Sequence, residues 1–122
     1  MQAAVDLTSL LALRELQQAG PGRDRPDGVA RIVTTFLAES EVRLEVLRRA
    51  VAADDAPSLE HAAHALKGIA GTVGANQIHD LAMRLEQIGR DGHTAGAANM
   101  LTELESALGS ARPIFDRLRD AV

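Results

Sequence analysis

Apolar residues recur along this chain at three- and four-residue spacings, the period of α-helices that each bury one face. Five stretches carry the pattern. The first, 6–19, has Leu7, Leu10, Leu11 and Leu13 on its apolar side. The second, 29–53, carries Ile32, Val33, Phe36, Leu37, Leu44, Leu47 and Val51. The third, 58–73, has Leu59, Ala63, Leu66, Ala70 and Val73, and the fourth, 76–89, has Ile78, Leu81, Leu85 and Ile88. The fifth starts near Thr94 and repeats Ala97, Leu101, Leu104, Leu108, Ala111, Phe115 and Leu118. Nothing alternates with the period of a strand. The spacing therefore predicts an all-α fold: an antiparallel up-down four-helix bundle over 29–120, with an additional N-terminal helix at 6–19 capping one end.

The breaks between segments agree. Residues 20–28, Gly-Pro-Gly-Arg-Asp-Arg-Pro-Asp-Gly, form a loop by composition. Shorter breaks fall at Asp54-Asp55-Ala56-Pro57, at Gly74-Ala75-Asn76 and at Gly89-Arg90-Asp91-Gly92. Pro57 suits a first helical turn. Pro113 interrupts the fifth segment, so a kink or break is expected there.

The chain has 122 residues, the size of one domain, here taken as 1–122. It has no Cys, which removes disulfides, thiolate metal sites and cysteine nucleophiles. A net charge of -4 and two Phe as the only aromatics argue against a nucleic-acid partner. No apolar run approaches the roughly 20 residues that span a bilayer, so no membrane association and a cytoplasmic location are expected. A monomer is expected, since four helices can close their own core, although the apolar stripe of the fifth segment could instead seed a dimer.

Candidate chemistry concentrates on the third segment. On a helical wheel at about 100° per residue with Leu59 at zero, Ala63, Leu66, Ala70 and Val73 fall within roughly 40° of it. His64 lies outward at about 140°, Gly71 at about 120°, Gly68 at about 180° and His61 at about 200°, with Lys67 on the shoulder at about 80°. An interior glycine costs a helix about 0.8–1.0 kcal/mol relative to Ala. Two on an exposed face make sense where something outside must approach closely. Lys67 is the only lysine among 13 basic residues, and an ammonium three residues after an outward His suits a bound anion. His61 and His64 share a face, but only Glu60 is at hand to complete a metal set, so no metal site is expected. His79 and His93 read as solvated.

The stretch His-Ala-Ala-His-Ala-Leu-Lys-Gly-Ile-Ala-Gly-Thr-Val-Gly-Ala, residues 61–75, resembles the signature of histidine-containing phosphotransfer (HPt) domains. His64 matches their phosphorylated histidine, Lys67 and Gly68 the residues three and four beyond it, Gly71 a small position and Gly74 the glycine that closes the motif. Further likeness runs through Phe36-Leu37, 47–50, the acidic pair before Leu59 and 81–86, so that it covers about 6–92. Ile69 departs from the pattern, standing where many members have a small or polar residue.

The resemblance implies a phosphoryl carrier of a bacterial two-component phosphorelay. His64 would accept the group from a phospho-aspartate on a response-regulator receiver domain and pass it to another receiver, in a relay fed by a hybrid histidine kinase. Lys67 would supply charge to the phosphoryl oxygens. His61, Ala65, Gly68, Ile69, Gly71 and Thr72 would meet the partner, and Gly74 would be structural. No cofactor is implied on this chain, the Mg belonging to the receiver. Imidazole ordinarily titrates near pH 6.5, so a neutral ring needs no separate base. The chain lacks a glycine-rich phosphate loop, so ATP-dependent kinase activity is not expected. Two other readings stand beside this one: a module that docks receivers without carrying phosphate, and a dimerising sensor-kinase helix pair. The latter typically follows its histidine with an acidic residue and soon a proline, unlike Ala65-Leu66-Lys67-Gly68.

Overall fold

The computed structural model describes residues 3–19 and 28–120. Among these, the regular structure is five α-helices and no strand: α1 Thr8–Ala19, α2 Gly28–Ala52, α3 Ala56–Thr72, α4 Asn76–Arg90 and α5 Ala97–Asp120. The predicted loop 20–28 lies outside the described residues except for Gly28, which opens α2. No described helix is long and apolar enough to cross a membrane.

Helix α2 packs on α3, α3 on α4, α4 on α5 and α5 back on α2, while α1 lies against α2. The core inside this ring comprises the predicted stripes. Val33, Leu47, Leu59, Leu66, Leu85, Leu104 and Phe115 are fully buried. The rings of Phe36 and Phe115 meet at 5.0 Å between α2 and α5. The apolar stripe of α5, from Ala97 to Leu118, is buried inside the chain.

The α2–α3 and α3–α4 connections are three residues each, and each uses a left-handed residue after the helix. At the end of α2, Asp54 takes φ 54 while Asp55 N–H donates to Ala50 O at 2.8 Å. At the end of α3, Gly74 takes φ 74 while Ala75 N–H donates to Ala70 O at 2.9 Å. Both are Schellman closures that satisfy carbonyls the helix leaves open. Asp55 then caps α3, accepting from Ser58 N–H at 3.2 Å and Ser58 Oγ at 2.7 Å, with Pro57 in the first turn as expected. Gly74 is structural in a second sense. Its N-terminal neighbour in space, Asp6, donates N–H to Gly74 O at 2.8 Å, and a Cβ on Gly74 would sit 1.9 Å from Asp6 O.

Three expectations need correction. Of the kink or break expected at Pro113, the break does not occur, since helix α5 runs on to Asp120. Pro113 can donate nothing to the carbonyl of Gly109, which is exposed and can turn to water instead. Helix α4 runs one residue past the expected 76–89, to Arg90. Gly89 is buried because α3 crosses there, and a Cβ would lie 2.7 Å from Glu60 N and 2.8 Å from Ala56 O. On α1, Leu11 is 51% exposed and Arg14 is buried in its place. The Arg14 stem packs inward while Nη1 donates to Leu118 O at 2.7 Å, capping the end of α5.

Candidate functional site

Helices α3 and α4 run antiparallel in a register symmetrical about Ala75. Glu60 faces Arg90, His64 faces Glu86, and Gly71 faces His79. The close approach at Gly89 sets the helix separation at the upper end of this pairing. Two side chains that are far apart in sequence thereby meet on the outer edge of the ring.

His64 points outward as the wheel predicts, with its side chain 66% exposed. Its Nδ1 lies 2.5 Å from Glu86 Oε2. Lys67 Nζ donates to the other oxygen, Oε1, at 2.6 Å, and Arg90 Nη2 donates to Oε2 at 3.2 Å. Glu86 itself is 3% exposed. Burial raises its pKa, but the hydrogen bonds and charges of Lys67 and His64 outweigh this and hold the carboxyl below its ordinary value. The carboxyl is therefore ionised at neutral pH and has no proton to give. An ionised carboxylate can only accept, so Nδ1 carries the hydrogen of this bond, and the lone pair of a neutral ring is then on Nε2.

Sequence reasoning did not single out Glu86 or Arg90 for the site. Lys67 is correctly on the shoulder, but its ammonium is clasped by Glu86 and not aimed outward. The two glycines differ. Nothing lies within 4 Å of where a Gly68 Cβ would stand, so the space one turn beyond His64 is open. At Gly71 the His79 ring is 3.4 Å from that point, so part of the notch is filled from α4.

The remaining candidates surround His64 at different depths. His61 and Thr72 are exposed, Ala65 and Ile69 half-buried. Thr72 Oγ1 donates to Gly68 O at 3.1 Å. Ile69 turns toward α2 and, with Ile32, Phe36 and Thr72, lines a groove of about 290 Å³ with an apolar floor. Glu60, the one residue that could have joined His61 and His64 as ligands, pairs with Arg90 Nε at 3.4 Å. His79 is half-buried beside Asp80, and His93 is exposed. The arrangement presents one basic imidazole nitrogen, backed by a buried carboxylate, in a clearing bordered by small side chains. Such a group can attack an electrophile carried on another surface.

The Hpt domain family matches residues 31–113. Among solved structures, the chain is similar to the crystal structure of histidine-containing phosphotransfer protein B (HptB) from Pseudomonas aeruginosa PAO1. The two share 27% sequence identity and a TM-score of 0.85, over 100% of this chain and 99% of that one. Among curated proteins, no relative matches the chain.

Proposed function

Because the chain belongs to the Hpt domain family, we propose that it is a histidine phosphotransfer protein of a two-component phosphorelay, with His64 as the phosphoryl acceptor. One observation carries the assignment of the residue: His64 Nδ1 is held by the buried, ionised Glu86 while the ring is otherwise exposed.

The chemistry follows from that geometry. The Nε2 lone pair forms a bond to phosphorus as the bond from phosphorus to an aspartyl oxygen of the donor receiver breaks. The leaving electron pair stays on the aspartate carboxylate. No proton need be removed from the attacking atom, because the ring hydrogen is already on Nδ1. As the N–P bond forms, the ring becomes cationic, and Glu86 stabilises that charge where it develops. Lys67 supplies a positive charge to the phosphoryl oxygens. Catalysis of this kind consists mainly of positioning and charge stabilisation. The reverse sequence hands the group to a second receiver.

The ring of helix contacts supports an antiparallel up-down four-helix bundle with α1 added, forming a single domain over 1–122. Partner receivers dock around His64 on His61, Ala65, Gly68, Ile69, Gly71 and Thr72, and a hybrid histidine kinase feeds the relay. The chain acts as a cytoplasmic monomer, needs no cofactor of its own and uses the Mg of the receiver. The test is transfer from a panel of radiolabelled phospho-receivers to wild type and His64→Gln. Acid-labile, alkali-stable label on wild type alone is expected. Binding of a receiver with no transfer would replace this reading with that of a docking module.

A further inference from the structure

The Glu86 carboxylate serves two masters. Its Oε1 holds Lys67 at 2.6 Å, and its Oε2 holds His64 at 2.5 Å and Arg90 at 3.2 Å. At rest, therefore, the one ammonium available to a phosphoryl group is bound elsewhere. A dianionic phosphoryl on Nε2 attracts that ammonium and draws Lys67 away from Glu86. A carboxylate that is 3% exposed does not give up a counter-charge cheaply. Besides the cationic ring, something must replace the ammonium that Lys67 withdraws.

Arg90 is built for that task. It lies one helical turn after Glu86 on α4, so its place beside Glu86 does not depend on where Lys67 points. Its Nε is drawn to Glu60 Oε2 at 3.4 Å, on α3 one turn before His64. The guanidinium thus places one positive charge between a carboxylate on each helix. We infer that Arg90 is a positioning residue: it keeps Glu86 charge-compensated and aimed at His64 Nδ1 while Lys67 is handed over to the phosphoryl group. Glu60 aligns Arg90 for this. The inference rests on the phosphotransfer reading and deepens it.

The test compares wild type, Arg90→Ala, Arg90→Lys and Arg90→Gln in transfer from a phospho-receiver, with the maximal rate and the receiver Kd measured separately. The Arg90 side chain is 57% exposed, so all four chains are expected to fold, which circular dichroism checks. Arg90→Ala should lower the maximal rate about tenfold, the scale on which outer partners of a functional imidazole act, with Kd unchanged. Arg90→Lys should recover most of the loss and Arg90→Gln little, because the need is for charge. A maximal rate within about twofold of wild type in Arg90→Ala, a loss confined to Kd, or equal rescue by Gln would overturn the inference while leaving the phosphotransfer reading intact. Absence of transfer to wild type would overturn that reading, and the inference with it.

Discussion

Gly68 separates what the fold needs from what the site needs. It sits inside α3, is exposed, and has nothing within 4 Å of its missing Cβ. The glycine therefore costs the helix its full propensity deficit and gains no packing in return. Gly68→Ala should raise stability by about 0.8–1.0 kcal/mol. For a domain of this size that is a rise of about 3–5 °C in Tm. Gly68→Gln should still gain about 0.5 kcal/mol. Its effect on transfer should be opposite. Residues four apart on a helix stand about 5–6 Å apart at Cβ, so the new side chain would occupy the ground beside the His64 ring. The phosphorus must come within about 3–3.5 Å of Nε2, and a misplacement of about 1 Å costs roughly a hundredfold in rate. Transfer from a phospho-receiver to Gly68→Gln should thus fall by about a hundredfold or more. Phosphorylation by phosphoramidate, which needs no docking, should be kept. Thermal melts followed by circular dichroism and two phosphorylation assays, one per donor, check both halves. The reasoning is refuted if Gly68→Ala destabilises the chain, or if Gly68→Gln loses both donors equally.

Other positions should respond in their own ways. Gly89→Ala, the same change one helix away, should cost about 1–3 kcal/mol in urea denaturation, because its Cβ would meet the α3 backbone at 2.7 and 2.8 Å. Leu66→Ala should cost about 2–5 kcal/mol from a fully buried position, while the folded fraction still accepts phosphoryl. The lowered pKa of Glu86 fixes the sign of one pH effect. Its stabilisation is fully present above the ordinary carboxylate range and is lost as pH falls through the lower folded value. Urea midpoints should therefore decline below about pH 4.3, and less steeply in Glu86→Gln.

The helices were legible because each buries a continuous stripe whose period the sequence carries. The outward face of α3 was legible for the same reason, since His64 and Gly68 oppose Leu59 and Leu66 on the wheel. Glu86 was not, because its role depends on register between helices. Beside Leu85, a glutamate reads as a solvated neighbour of an apolar stripe. Yet the turn at Gly74-Ala75 held the missing signal. His64 and Glu86 are each eleven residues from Ala75, and Glu60 and Arg90 each fifteen. Two antiparallel helices rising equally from that turn bring both pairs level. Arg14 was hidden differently, since an arginine on an apolar face reads as polar until the carbonyl it caps, Leu118 O, is placed beside it.

The central claim is that His64 accepts phosphoryl at Nε2 while Glu86 holds the hydrogen on Nδ1. Nitrogen-15 and phosphorus-31 NMR of ring-labelled protein, phosphorylated by a receiver, tests it most directly. Phosphorus coupled to Nε2 of His64 alone, with Nδ1 still protonated, is the expected result. Phosphorus on Nδ1, or on another histidine such as His61, would contradict it.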